Sequence, residues 1–255
     1  MKNNLDKVRL DTLLLERGLA VSRERAQALI LAGSVLVENQ KISKAGTLVS
    51  SSATVRLLNE DLKYVSRGGL KLEGALDHWR IDVTGSMCLD IGTSTGGFMD
   101  CLLQRGAARV IGVDTGHGQV AFRLRQDSRV QLLEKTNARY LTREQLSGQP
   151  IDFIAVDVSF ISATLVLPAV VSAAFPDITA DRAGRKLIVL VKPQFEAGRE
   201  NVGKGGLVRD PGVHRQVIEK VRDCIVQLGA LATDVTDSPI LGAEGNREFL
   251  LLARF

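Results

Sequence analysis

The sequence predicts two parts: a small α+β module, then an α/β domain on a doubly wound, mostly parallel sheet. Three observations carry this. Short apolar runs separated by turn residues fill the first quarter. Beyond it, strand-length apolar runs alternate with helical stretches, the pattern of a parallel sheet covered by helices. The basic excess is also confined to the front, with ten Lys and Arg against seven Asp and Glu in residues 1–65, and 23 against 22 afterwards.

Leu10, Leu13 and Leu14 share a helical face that ends at Gly18, and Ser22 stands where it can cap a second helix bearing Ala26, Leu29 and Ile30 up to Gly33. Val35–Val37, Ile42, Leu48–Val49 and Val55–Leu57 read as short strands around turns at Glu38-Asn39 and Ala45-Gly46. A hinge follows around Lys63–Gly69. The later strands are Met87–Ile91, Arg109–Asp114, Val130–Leu133, Phe153–Asp157, Leu187–Val191, Ala232–Val235 and Phe249–Ala253. Helices are expected at Phe98–Arg105, Gln119–Gln126, Ser162–Ala174 and His214–Leu228. The domains are therefore 1–62 and 70–255, joined by a linker at 63–69.

With 45% hydrophobic and 24% charged residues, the 255-residue chain is not disordered, collagenous or a disulfide-stapled miniprotein. Cys88, Cys101 and Cys224 lack the spacing of a disulfide framework or zinc site and read as reduced thiols. Met1–Asp6 leads into charge rather than an apolar leader, and the longest apolar stretch, Leu165–Phe175, falls short of the ~20 residues that cross a bilayer. A cytoplasmic location is expected.

Leu89-Asp90-Ile91-Gly92-Thr93-Ser94-Thr95-Gly96-Gly97-Phe98 sits where the first strand of the sheet gives way to a helix, the edge at which open α/β sheets bind ligands. Gly92, Gly96 and Gly97, with Thr93 and Ser94, let backbone approach a ligand, and Asp114, 22 residues after Gly92, is placed for two ribose hydroxyls. A dinucleotide turn would read Gly-x-Gly-x-x-Gly. Asp90 instead suits a cationic amino-acid headgroup and repels a pyrophosphate, so S-adenosylmethionine is the expected cofactor. Asn137 falls where an adenine edge would lie, and is equally an ordinary loop residue.

Asp157 and Lys192 close two apolar strands with opposite charges, and Pro193 fixes the turn after Lys192, which suggests a paired site. The stretch from Gln194 to Leu207, rich in glycine and charge, reads either as a mobile RNA-clamping loop or as a simple flexible connection. In the first module Arg9, Arg17, Arg23, Arg25, Lys41 and Lys44 fall off the apolar face and could meet phosphates, or form a solvated surface with interspersed ion pairs.

The pattern Leu10-Asp11-x-Leu13-Leu14, Gly18-Leu19, Ser22-Arg23-x-x-Ala26-x-x-Leu29-Ile30, Ala32-Gly33-x-Val35-x-Val37 and Lys41-x-x-Lys44-x-Gly46 resembles the S4-like RNA-binding domain over roughly residues 8–62. One departure is Glu38-Asn39 where that family has Asn-Gly. It adds a negative charge near a surface expected to face RNA. The resemblance implies RNA contact by the six basic residues, to which Arg67 at the linker is added.

Tyr64–Leu72, Leu89–Phe98, Asp157–Ile161, Val191–Glu196 and Gly245–Phe249 resemble the TlyA, or hemolysin A, family over nearly the whole chain. That resemblance implies a Rossmann-like class I methyltransferase sheet with an antiparallel last strand, similar to the FtsJ/RrmJ ribose 2′-O-methyltransferases. It also implies their Lys-Asp-Lys-Glu tetrad at Lys71, Asp157, Lys192 and Glu248. The implied partner is ribosomal RNA or a ribosomal subunit, with a cytidine as target and large-subunit RNA favoured. Two other readings are a non-catalytic RNA-binding or assembly factor, which the intact tetrad opposes, and a hemolysin acting at membranes, which the expected lack of an export signal or spanning segment opposes.

Overall fold

The computed structural model describes residues 7–20, 22–31, 33–57, 63–175, 182–242 and 245–255. Three readings above fall outside these: Met1–Asp6, read for a leader, Ala32 of the first-domain pattern, and residues 58–62, the end of the expected first domain. The chain divides into two compact units, Met1–Leu62 and Lys63–Phe255.

In the first unit β1 (Lys7–Arg9) runs straight into α1 (Leu10–Glu16), followed by α2 (Arg23–Leu31), β2 (Val35–Val37), β3 (Gln40–Ile42), β4 (Leu48–Ser50) and β5 (Val55–Leu57). Strand β1 pairs antiparallel with β4, while β2 lies between β3 and β5. Leu10, Leu13, Leu14, Ala26, Leu29 and Ile30 meet Val35, Val37 and Val49 in one core, the helix periodicity supplying one wall and the strands the other. The Ser22 hydroxyl accepts the Arg25 N–H, capping α2 as expected. The two-residue turn between β2 and β3 puts both Glu38 (φ 49°) and Asn39 (φ 63°) in the left-handed region, as a primed hairpin turn requires. Glu38 is tied down there because its carboxylate accepts the Thr54 N–H at 2.6 Å.

The second unit starts earlier than the sequence suggests. The presumed linker 63–69 is packed into it: Tyr64 is 2% exposed, its hydroxyl donates to Glu73 Oε1 at 2.9 Å, and Val65 N–H donates to the buried Asp100 at 2.8 Å. Gly68 then opens α3 (Gly68–His78), a helix the sequence reading passed over because its first turn is Gly-Gly. Leu72, Ala75 and Leu76 bury its inner face.

The remaining elements are β6 (Met87–Ile91), α4 (Gly97–Gln104), β7 (Arg109–Val113), α5 (Phe122–Arg125), β8 (Val130–Leu133), β9 (Phe153–Val156), α6 (Leu167–Ala174), β10 (Lys186–Val191), α7 (Pro193–Glu196), α8 (Pro211–Gln227), β11 (Ala232–Asp237) and β12 (Phe249–Arg254). The sheet order is β11-β12-β10-β9-β6-β7-β8, parallel from β10 through β8, with β12 antiparallel to both of its neighbours. Alternate residues feed two cores: Leu89 and Ile91 of β6, with Leu187, Val189 and Val191 of β10, face α6 and α8, while Cys88, Ile188 and Leu190 face α3 and α4. The helix expected over 162–174 is broken. Pro168 lacks an N–H and is confined to the first turn of α6, and Ala163–Leu165 forms a separate 3₁₀ turn capped by Ser162.

A Cβ at Gly69 would lie 2.5 Å from Tyr64 Cβ and closer still to its ring. Gly69→Ala is therefore expected to destabilise the protein by about 1–3 kcal/mol, the usual cost of overpacking. Thermal unfolding measures it; an unchanged midpoint would mean that Tyr64 does not pack against the start of α3.

Candidate active site

Strand β6 ends against a backbone neighbour rather than open space. Gly92 has φ 84°, and a Cβ there would fall 2.8 Å from the Asp157 carbonyl carbon and closer to its oxygen. The chain then turns through Ser94 (φ 50°), whose N–H donates to Asp114 Oδ2 at 2.7 Å, while Gly116 N–H donates to Oδ1 at 2.6 Å. Asp114 is thus held at the end of β7, and each of its oxygens keeps a further lone pair for a ligand. Gly92, Ser94, Asp114, Asn137 and Asp157 line one crevice of about 470 Å³, with Ile91, Val113, Ala138, Val158 and Ile161 as apolar walls. Asn137 also caps a 3₁₀ turn, its Oδ1 accepting the Arg139 N–H at 3.0 Å.

Four residues expected in this site lie behind it. Thr93 is buried, and its hydroxyl donates to the Asp90 carbonyl at 3.1 Å. Gly96 (φ 98°) caps α4 in the left-handed conformation that favours glycine. Gly97 permits the close crossing of α3 and α4, since a Cβ would sit 3.0 Å from Gly69 N. Asp90 is fully buried beneath the turn and does not line the crevice: Oδ2 accepts the Met99 N–H at 3.2 Å, satisfying the amino end of α4, while Oδ1 has no hydrogen-bond partner among the described residues.

The charged residues meet because of strand register. Val191 of β10 pairs with Phe249 of antiparallel β12, so Lys192 and Glu248 are the adjoining positions at one sheet edge, and Asp157 follows Val156 of β9 there. Helix α3 delivers Lys71, whose Nζ donates to Glu248 Oε2 at 2.5 Å; this pair is nearly buried. Lys192 Nζ lies 2.5 Å from Asp157 Oδ1, a charge contact whose angles fall short of a hydrogen bond, and donates to Ser159 Oγ at 2.8 Å. All four expected residues are therefore brought together as two ion pairs. The Lys192 side chain faces Asp157 rather than the crevice wall.

Ser159 is a site residue the sequence did not disclose. Its signal, one serine two positions after Asp157, becomes legible only when the turn brings it back to Lys192. Phe160 ends that turn at φ 64° and is 92% exposed, its ring 5.2 Å from that of Phe195. A positive φ at an aromatic residue is strained backbone, and here it closes the turn that carries Asp157 and Ser159.

The glycine-rich stretch after Lys192 is pegged at both ends. Buried Glu196 accepts from the Ser162 hydroxyl, from Ala163 N–H at 2.6 Å and from Lys220 Nζ. Buried Asn246 accepts the Val208 N–H at 3.0 Å and donates to the Gly206 carbonyl at 2.9 Å. These anchors tie the stretch to the 3₁₀ turn before α6, to α8 and to the approach to β12.

Residues 64–255 match the family model for FtsJ-like methyltransferase, and residues 8–55 match the S4 domain. The chain belongs to the FtsJ-like methyltransferase family. It is 45% identical over 245 residues to YqxC of Bacillus subtilis (strain 168), which carries the name of an rRNA methyltransferase, covering 96% of this chain and 85% of that one. It is 44% identical over 249 residues to the 16S/23S rRNA (cytidine-2′-O)-methyltransferase TlyA of Mycobacterium tuberculosis, covering 97% and 90%. A solved structure from Streptococcus thermophilus that carries the hemolysin name aligns with a TM-score of 0.71 and 40% identity over 98% of this chain and 89% of that one. Among the described residues of this FtsJ-like protein, no helix is long and apolar enough to cross a membrane.

In the S4 domain the basic residues are more constrained than their sequence positions suggest. Arg17 donates to the Ala53 and Ser51 carbonyls at 2.7 and 2.5 Å, bracing the turn before β5. Arg9 forks onto Asp11 and Arg23 joins the same carboxylate. Lys41 lies across Gly33. Outside this domain, Arg67 precedes α3 and donates to the Leu241 carbonyl at 3.2 Å. Asp11, fully buried, went unread as anything but part of the motif.

Burial, with the Asp157 charge added, raises the Asp90 carboxyl to about 8. An unfolded chain loses this proton near pH ~4, so between there and about 8 the folded protein holds a proton the unfolded chain has shed. The stability from this group is full below the unfolded value and is lost as pH rises through the folded one. Asp90→Asn of this FtsJ-like protein is expected to flatten that decline. Melting curves between about pH 5 and 9 test it; parallel slopes for the two proteins would mean that Asp90 is already ionised when folded.

Proposed function

We propose that this chain transfers a methyl group from S-adenosylmethionine to a ribose 2′-hydroxyl of ribosomal RNA, at a cytidine, acting in the cytoplasm on RNA or a ribosomal subunit. The observation that carries the reading is the coincidence of Lys71–Glu248 and Lys192–Asp157 at the carboxyl edge of the sheet, beside a crevice that Asp157 itself lines. A binding-only factor has no need of these paired charges. The family membership and the named activity of the M. tuberculosis relative support the same reading.

The crevice fits the cofactor. Asp114 would take the ribose hydroxyls, Asn137 the adenine edge, and the Gly92–Ser94 backbone the amino-acid portion, with the unpartnered Asp90 Oδ1 as a buried acidic group behind the turn. When bound, S-adenosylmethionine supplies a methyl group on a sulfonium, which leaves as its bond to oxygen forms.

The protein must orient the weakly acidic 2′-hydroxyl and accommodate the charge that grows on its oxygen. An ammonium has three N–H bonds. Lys192 Nζ donates one of these to Ser159 and stands in charge contact with Asp157, so an N–H remains for the 2′-oxygen. Lys192 thereby holds the nucleophile and stabilises the developing alkoxide, while the hydroxyl proton passes to solvent. The exposed Phe160 ring offers a stacking face for a base turned out of its helix. In the first unit Arg9, Arg17, Arg23, Arg25, Lys41 and Lys44 would hold RNA by its backbone, with Arg67 adding to the second unit's share.

Lys192→Ala is expected to lower methyl transfer by about 10²–10⁴-fold while cofactor affinity stays near wild type. The assay follows labelled methyl into separated subunits and their naked RNAs, large-subunit RNA first. No label in any ribosomal acceptor, with cofactor binding intact, would sink the assignment. Removing residues 1–62 is expected to weaken RNA binding strongly and spare cofactor affinity; equal RNA affinity would refute the proposed division of labour.

A further inference from the structure

We propose that Asp11 is a positioning residue for RNA recognition, holding Arg9 and Arg23 as one two-guanidinium receptor for a backbone phosphate. This deepens the reading of the chain as an RNA methyltransferase and concerns the first unit alone.

The carboxylate of Asp11 is fully buried and engaged from three elements. Arg9, the last residue of β1, donates through Nε to Oδ1 at 3.0 Å and through Nη2 to Oδ2 at 2.9 Å. Arg23, in the first turn of α2, donates through Nε to Oδ2 at 3.2 Å, and Gln27, one turn later, through Nε2 at 3.0 Å. The Thr12 N–H closes on Oδ1 at 3.0 Å. Arg9 also lies over the turn before β4, where a Cβ at Gly46 would fall 3.2 Å from Nη1. The hydrogen bond from Arg9 is the foremost cause holding the Asp11 carboxyl far below the usual carboxylate range, so it stays ionised across the working pH.

What remains outward is specific. The Arg9 and Arg23 side chains are 46% and 52% exposed, and among the described residues Nη1 of Arg9 and both Nη groups of Arg23 have no hydrogen-bond partner. Two guanidiniums on one carboxylate leave a net positive charge with several N–H groups facing solvent from side chains whose rotamers are already fixed. That is the requirement for gripping a phosphate without ordering flexible arms at the moment of binding.

Charge and positioning predict opposite signs. A carboxylate near RNA weakens binding, so by charge alone Asp11→Asn should bind RNA more tightly. By positioning it should bind more weakly, because the neutral amide cannot hold both guanidiniums.

The test measures affinity of the full chain for naked large-subunit ribosomal RNA across a salt series. It compares wild type, Asp11→Asn, Arg9→Ala/Arg23→Ala and the triple variant, with melting temperatures alongside. Asp11→Asn is expected to lose about tenfold or more in affinity, and the salt slope to fall by about 0.7–0.9 for each phosphate no longer neutralised. In the Arg9→Ala/Arg23→Ala background the same change is expected to do nothing further. Arg23→Lys, which keeps its charge and leaves Asp11 in place, serves where Asp11→Asn does not fold. It is expected to lose nearly as much affinity as Arg23→Ala, and wild-type affinity would overturn the proposal. Unchanged or tighter binding by folded Asp11→Asn, or an equal loss without the arginines, would overturn the role of Asp11 alone. Equal RNA affinity of wild type and a chain lacking residues 1–62 would overturn it together with the reading beneath it.

Discussion

The close approach of Gly92 to the Asp157 carbonyl group sets the geometry of the second unit. With no side chain at 92, the turn after β6 rests directly on the backbone at the end of β9, so the wall of the crevice and the carboxylate that pairs with Lys192 move as one piece. Strand order does the rest. Because β9 lies between β6 and β10, and β12 runs antiparallel beside β10, the ends of β6, β9 and β10 and the beginning of β12 share one edge. Residues as distant in sequence as Lys71 and Glu248 come into contact there, and no flexible segment is needed to assemble them.

Acidic residues hold the pieces in place. Asp100 fixes the segment after Lys63 through Val65 N–H, Gln104 and Arg123; Glu73 gathers Lys63, Tyr64 and Arg105; Glu196 fastens the start of the glycine-rich stretch. A carboxylate taken out of water is costly unless several donors surround it. Each of these acids has such a set, and its donors come from different elements. The anchoring thus adds hydrogen bonds to the apolar area these segments bury, which for the segment after Lys63 is chiefly the Tyr64 side chain.

The sheet was legible because buried strands read as uninterrupted apolar runs, and the expected bounds of β6, β8, β9 and β10 lie within a residue of those found. Helix α3 was not, since its Gly-Gly start carries no helical preference and its spacing of Leu72, Ala75 and Leu76 is too short a signal by itself. Gly92, Ser94, Asp114 and Asn137, expected from the order of strand, turn and helix, line the crevice. Thr93, Gly96, Gly97 and Asp90 do not line it, because a turn presents some positions to the crevice and others to the helix behind it, and residue type does not say which. Ser159 and Asp11 escaped for a related reason. A hydroxyl or carboxylate discloses its role through its partners, and these lie 33 residues away for Ser159 and up to 16 for Asp11.

The distribution of charge also bears on why the site would favour a cationic cofactor. Asp157 and Asp114 both add to the burial that keeps a proton on Asp90, so the carboxyl ends of β6, β7 and β9 share a negative field. A pyrophosphate entering there would meet repulsion. A sulfonium with an ammonium would instead relieve the mutual repulsion of the acids and offset the cost of ionising Asp90. Under the proposed function this asymmetry has a second effect. Methyl transfer turns the sulfonium into a neutral thioether, so the same field that draws in the methyl donor holds the spent product less strongly. On that reading one set of carboxylates would select the cofactor on entry and weaken its grip once the methyl group has gone.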